Sequence, residues 1–171
     1  MGEQGERGVS AGQAAEGRPA VGQVAVRPVT ADDEAAWKAL YRGYRDFYRL
    51  TPDDAVIDRV WAWIQDPATV VEGLVAELEG ELVGLANHRA FHRPSTGTIG
   101  TFLDDLFVDP SRRRTGAATA LLARLGEDAA AQGRSVVRWI TAGDNADARA
   151  LYDRVATATP WVTYDLSPRA R

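Results

Sequence analysis

The residues of this chain best placed to do chemistry form one run, Leu106-Phe-Val-Asp-Pro110-Ser-Arg-Arg-Arg-Thr-Gly-Ala-Ala118. An apolar strand leaves through Asp109-Pro110 into a basic turn, and a helix then opens with only small residues. A helix N-terminus carries free backbone N–H groups and the positive end of the helix dipole, which together attract phosphate. Gly116, Ala117 and Ala118 let an anion approach the backbone closely, while Arg112, Arg113 and Arg114 add charge beside it. On these residues alone the run is either an anion site or a solvated basic turn ahead of a packed helix. It is not a Walker loop, because no Lys-Ser/Thr follows the glycine, and it lacks the three-glycine dinucleotide fingerprint.

Three further features lie near it or follow it. Asp104 and Asp105 interrupt the apolar strand Phe102 to Val108, and such a conflict between residue and element often marks a functional position. In a regular strand the two acids point to opposite faces; either one also reads as a buried structural acceptor. Asn145-Ala-Asp-Ala-Arg-Ala-Leu-Tyr152 opens a helix that carries a tyrosine. Taken alone, Asn145 is an N-cap and Tyr152 a core aromatic. His88 and His92 share a side-chain parity on one strand, where a pH-active role competes with surface or packing roles.

The elements that must position these groups follow from periodicity. Residues 1–23 are rich in Gly, Ala, Glu and Gln with only Val9 and Val21 scattered among them. That is too little apolar surface to offset chain entropy, so the segment reads as a disordered tail. Residues 24–171 read as one domain. Val24 to Pro28 is a first strand, and Thr30 caps a helix with Trp37, Leu40, Tyr41, Tyr44 and Tyr48 on one face. Thr51-Pro52 starts a second helix that carries Val56, Val60 and Trp63 and stops near Asp66-Pro67. Val70 to Leu78 and Glu81 to Phe91 flank a Glu79-Gly80 turn as an antiparallel hairpin. After the strand Phe102 to Val108, the helix Gly116 to Ala131 turns Leu121, Leu122 and Leu125 inward and ends near Gly133. Ser135 to Thr141 is a strand, a helix runs from Asn145 through Leu151 and Tyr152, and Trp161 to Leu166 is a last strand. The order β-α-α-β-β-β-α-β-α-β predicts an α/β (α+β) fold, a mixed sheet with helices on both faces.

Composition narrows the function classes. The net charge of −4 argues against a general nucleic-acid binder, which carries a basic excess. No apolar run approaches the roughly 20 residues needed to span a bilayer. With no cysteine there is no disulfide, thiolate metal site or cysteine nucleophile. The expectation is a soluble, cytoplasmic protein with no metal, nucleic-acid or membrane partner.

Arg113-Arg-Thr-Gly116-Ala-Ala118, following Leu106-Phe-Val108, resembles the Arg/Gln-x-x-Gly-x-Gly/Ala motif of the GNAT superfamily of N-acetyltransferases. Asn145-Ala-Asp-Ala-Arg-Ala-Leu-Tyr152 resembles that family's Asn-x-x-Ala-x-x-x-Tyr helix, and the element order from Val24 to Leu166 is the family's. The resemblance implies a mostly antiparallel sheet of six to seven strands and acetyl-CoA as cosubstrate. By the same resemblance, the main chain of Leu106, Phe107 and Val108 pairs with the pantetheine arm. Arg113, Arg114, Thr115, Gly116, Ala117 and Ala118 hold the pyrophosphate, and Asn145 contacts the arm. Tyr152 protonates the departing sulfur, a plausible exchange because a phenol of pKa about 10 can donate to a thiolate whose conjugate acid lies near 8.5.

Phe102-Leu-Asp-Asp-Leu-Phe-Val108, with Phe91-His92 upstream, is similar to the diamine and spermidine/spermine branch of the family. That similarity implies a small amine acceptor with Asp104 at the amine; polyamine-like or amino-acid-like is the expected class, and Asp105, Tyr44 and His92 are further candidate substrate-binding residues. Asp104 stands where the branch has a Glu, one methylene longer. Tyr41, Tyr44 and Tyr48 offer cation–π contacts to an amine or are simply core. Direct attack in a ternary complex is the expected reaction. Acetylation of a protein or peptide amine, and a non-catalytic acyl-CoA-binding module, are the alternatives. The family is often dimeric through its C-terminal strands, which makes Trp161 to Leu166 the expected homodimer segment.

Overall fold

A computed structural model describes residues 22–168, so the expected tail lies almost wholly outside the described residues. Strand β1 (Ala25–Pro28) leads through a 3-10 turn (Ala31–Asp33) into α1 (Glu34–Phe47) and then α2 (Asp54–Gln65). Strands β2 (Val71–Leu78), β3 (Glu81–Arg93) and β4 (Thr98–Val108) follow. After a 3-10 turn (Pro110–Arg112) come α3 (Ala117–Ala131), β5 (Val137–Arg138) and α4 (Ala146–Val155). The sheet runs β1-β2-β3-β4-β5 in space. Pairs up to β4 are antiparallel, and β5 lies parallel to β4.

Local chemistry accounts for the frame. Glu79 at φ +55° and Gly80 at φ +85° are both left-handed, as a two-residue type I′ turn requires. That turn sets Leu78 opposite Glu81. Asp33 is buried at the entry to α1, where its carboxylate accepts from Arg27 Nη1 at 2.7 Å, Arg27 Nη2 at 2.8 Å and the Thr30 N–H at 2.8 Å. Those bonds hold its pKa down at about 2.

The two faces of the sheet bury separate cores, which is the layered arrangement expected from the element order. Trp37, Leu40 and Tyr41 of α1 join Ile57, Val60 and Trp61 of α2 on one face, over Val75, Leu85 and Phe107. On the other face Ala117, Leu121 and Leu125 of α3 cover Leu74, Ala76, Val83, Ala86 and Leu103. No helix among the described residues is long and apolar enough to cross a membrane.

Four expectations need correction. Helix α2 is capped by Asp53, not Thr51: the Asp53 carboxylate accepts from the N–H groups of Ala55 at 2.9 Å and Val56 at 3.3 Å. Its inner face carries Trp61, while Trp63 is exposed, because Ile57, Val60 and Trp61 share the three- and four-residue spacing. The strand expected at Ser135–Thr141 pairs only over Val137–Arg138. Trp161–Leu166 forms no strand, and Trp161, Val162, Tyr164 and Leu166 are all exposed. The sheet therefore has five strands among the described residues, where six or seven were expected. The chain leaves β4 after two paired residues, so β5 offers no continuous edge for a further strand to extend.

Candidate active site

The early end of β5 opens the site. Thr101 pairs with Val137 and Phe102 with Arg138, and then the two chains part. Leu103, Asp104 and Leu106 line one wall of the resulting cleft, and Trp139, Ile140, Thr141 and Ala142 line the other. Tyr44 of α1, Tyr48 just beyond its end and Tyr152 of α4 complete a space of about 380 Å3.

Asp104 reaches this space through a break in the sheet. The β3–β4 register steps from Asn87 opposite Asp105 to His88 opposite Leu103, leaving Asp104 as the extra residue of a β-bulge. A bulge re-aims a side chain that regular pleating would place elsewhere. The strand is thus not regular here, and simple alternation does not describe its two acids. Burial raises the Asp104 pKa, and Arg89, whose Nε donates to Asp104 Oδ1 at 3.2 Å, opposes that shift. Asp105 instead accepts from Asn87 Nδ2 at 2.9 Å. Burial raises the pKa of the Tyr41 and Tyr44 hydroxyls, and the neighbouring Asp105 charge raises it further.

Tyr152 packs edge-on against Trp139, ring centroids 5.2 Å apart. Burial, with Tyr48 nearby, pushes its phenol up to about 12. Asn145 Oδ1 accepts from the Ala148 N–H at 3.4 Å, and its Nδ2 donates to Thr141 Oγ1 at 3.4 Å. The cap of α4 is thereby tied to the cleft wall.

At the other end of β4 the chain turns sharply. Asp109 Oδ1 accepts from the Ser111 N–H at 2.7 Å, and Thr115 Oγ1 donates to the Arg112 carbonyl at 2.8 Å. Arg114 at φ +66° and Gly116 at φ +88° are left-handed, and no side chain caps α3. A Cβ on Gly116 would meet open space. Arg112 is engaged with Glu81. Arg113 lies 5.6 Å from the Phe47 ring centroid, and neither it nor Arg114 forms an ion pair among the described residues. An uncapped helix start beside free guanidinium groups suits a pyrophosphate.

Residues 37–156 match the model of the acetyltransferase (GNAT) family. The chain belongs to the GNAT acetyltransferase family. A D-amino-acid N-acetyltransferase of Saccharomyces cerevisiae is 28% identical over 145 residues, covering 83% of this chain and 89% of that one. An uncharacterized N-acetyltransferase of Bacillus subtilis is 31% identical over 131 residues, covering 75% and 86%. An aminoglycoside N-acetyltransferase solved in complex with CoA shares the fold with a TM-score of 0.71 at 20% identity, covering 85% and 95%. This GNAT enzyme uses acetyl-CoA as its acetyl donor, and the uncapped start of α3 beside Arg113 and Arg114 suits the phosphates of that donor.

The fold of the GNAT enzyme brings some of the expected residues together and separates others. Tyr44, Asp104, Leu106 and Tyr152 line one cleft. Phe107 turns its ring into the α1 core, and Ala117 is buried under α3, so their side chains are structural whatever their main chain contacts. Ala118 follows Ala117 in the first turn of α3. His92 does not line the cleft. It alternates with Phe91 along β3 and shares the parity of His88, which opens into a second hollow with Arg124 and Asp128 on the α3 side. Sequence reasoning passed over Arg89, Trp139 and Thr141. Arg89 sits on a strand whose pairing register decides its neighbours, and no spacing rule marks such a partner.

Proposed function

We propose that this enzyme acetylates a primary amine on a small molecule held in the cleft between β4 and residues 139–142. In this reading Tyr152 is the general acid and Asp104 the group that orients and deprotonates the amine. The supporting observation is that one cleft holds both side chains.

The donor would be held by the main chain of Leu106, Phe107 and Val108, whose edge past β5 carries no strand among the described residues. Arg113, Arg114 and the segment Thr115, Gly116, Ala117 and Ala118 would hold its phosphates, with Asn145 nearby. Acetyl-CoA supplies an activated thioester when bound. Main-chain N–H groups of Leu106 to Val108 would polarise its carbonyl oxygen. Tyr152, with its phenol near 12, holds its proton through neutral pH and can pass it to the leaving sulfur. An alkyl amine with a pKa of about 10.4 must lose a proton before it attacks. Asp104 attracts the ammonium form and accepts that proton directly or through water. The attack is direct, in a ternary complex.

The acceptor is polyamine-like or amino-acid-like in this reading, and two chains pair through residues 161–166 as a homodimer. Thiol release from acetyl-CoA with a panel of small amines tests the reaction, and steady release with at least one acceptor is expected. Release only with peptide N-termini would move the acceptor to protein amines. Saturable CoA binding with no release from either set would leave a non-catalytic binding module.

A further inference from the structure

Asp104 stands where the sheet itself does not fix a side chain. As the extra residue of the bulge it has no partner across the β3–β4 ladder, so its direction depends on side-chain contacts. Two cross-strand ties bracket it. On one side the buried Asn87 donates from Nδ2 to Asp105 Oδ2 at 2.9 Å. On the other, Arg89 Nε lies 3.2 Å from both oxygens of the Asp104 carboxylate. The second tie holds the side chain that lines the cleft.

Arg89 is held in turn. Its register partner on β4 is Phe102, and its guanidinium carbon lies 5.0 Å from that ring's centroid, within cation–π range. Phe102 meets Phe91 edge-on, centroids 6.0 Å apart. The guanidinium thus stands between a ring that braces it and a carboxylate that it orients. The Arg89 and Asp104 side chains are 38% and 33% exposed, and an ion pair so open to water adds little to stability. Its consequence is local: a stabilised charge and a fixed direction for Asp104. Among the described residues, the other titratable groups around Asp104 are Asp105 on its own strand, Tyr41 and Tyr44 of α1, Tyr48 just beyond it and Tyr152 of α4. Raised pKa values keep Tyr41, Tyr44 and Tyr152 uncharged. Burial above all, and Asp105 after it, disfavour the Asp104 charge, and Arg89 opposes both.

We infer that Arg89 is a positioning residue for the reaction: braced on the Phe102 ring, it holds the Asp104 carboxylate charged and aimed into the cleft. Arg89 does not itself line the cleft and acts only through Asp104. The inference rests on Asp104 acting on the amine as proposed. Asp104 must be charged to attract an ammonium group and take its proton, so it works above its pKa. Removing Arg89 removes a group that favours the charged form, which raises that pKa and moves the loss of activity to higher pH.

The test pairs kinetics with a direct titration of the carboxylate. Thiol release with the best amine gives kcat/KM against pH for wild type, Arg89→Gln and Arg89→Lys. Carboxyl-carbon NMR follows the Asp104 side chain, its resonance assigned by Asp104→Asn. In Arg89→Gln both the Asp104 titration and the acid limb of kcat/KM should move up by roughly one pH unit. Below the limb that is a roughly tenfold loss relative to wild type, closing to within a few-fold as pH rises. The amine's own ionisation cancels in that ratio, and a structural lesion would lower activity at every pH. The KM for acetyl-CoA should stay within a few-fold. Arg89→Lys, which keeps the charge without the planar fork, should return the titration most of the way. An Asp104 titration that Arg89→Gln leaves unmoved overturns the inference, whatever Asp104→Asn does to turnover. A titration that moves without the limb, or an Asp104→Asn enzyme with wild-type kcat/KM, ends the reading of Asp104 as the acting group and with it the role of Arg89 in the reaction.

Discussion

Tyr152 and Asp104 carry the chemical burden of the proposed reaction, and their surroundings bias them differently. Tyr152 must be protonated to act as an acid, so it works below its pKa. Burial moves that pKa up to about 12. The loss of activity that an ordinary phenol would cause near pH 10 is therefore displaced upward. A kcat–pH profile measured with the best amine should show no falling limb from Tyr152 up to about pH 10. Tyr152→Phe should lower kcat about a hundredfold or more while leaving the KM for acetyl-CoA within a few-fold. An unchanged kcat would remove Tyr152 from the chemistry. Asp104 is a carboxylate with a partner: burial pushes its pKa up while Arg89 stabilises its charged form. Sequence showed that an acid stood in an apolar strand. It did not show Arg89, because the pairing of residues 89 and 104 arises from a register that only the folded sheet sets.

At the scale of elements, the site depends on how closely β3 and β4 approach and on where β5 stops. Gly84 faces Val108, and a Cβ there would come within 2.9 Å of the Phe107 carbonyl oxygen and 3.1 Å of Val108 Cγ2. The obstruction is main chain, so β4 itself would have to move. Gly84→Ala should destabilise the fold by about 1–3 kcal/mol in chemical denaturation. Because the same main chain is proposed to hold the donor, it should also raise the KM for acetyl-CoA. The junction of β1 and α1 depends on Asp33, whose pKa in the folded chain, about 2, lies below the ordinary carboxylate value. A depressed pKa means that the charged form stabilises the fold. That contribution is present above about pH 4 and is lost as pH falls toward 2. Wild type and Asp33→Asn should therefore differ most in Tm near neutrality, with the gap closing on acidification. A gap that stayed constant to about pH 2 would mean the Arg27–Asp33 pair is not what separates them.

At the scale of the whole molecule, the segment after α4 is notable for what it leaves uncovered. Trp161 is 81% exposed and Leu166 is 94% exposed, with Val162 and Tyr164 between them also open. Apolar residues grouped in this way mark association surfaces more often than free surface. Light scattering of the full chain is expected to give the mass of two chains, with Trp161→Glu returning it to one. A monomeric wild type would overturn the homodimer reading.

Much of the molecule was legible before any coordinates, because its signals are local. The Glu79-Gly80 turn, the apolar faces of α1 and α3, and the small-residue start of α3 after a basic turn each depend on neighbours a few residues apart. The arginine-glycine run and the Asn145–Tyr152 helix, in that order, were enough to identify the family. Tertiary structure decided what local spacing cannot encode. The bulge that aims Asp104 exists only in the register between β3 and β4. The cleft exists because β5 pairs over two residues and stops. Arg89 meets the Phe102 ring and Arg138 the Phe91 ring from strands distant in sequence, and these contacts form only when three strands are laid side by side.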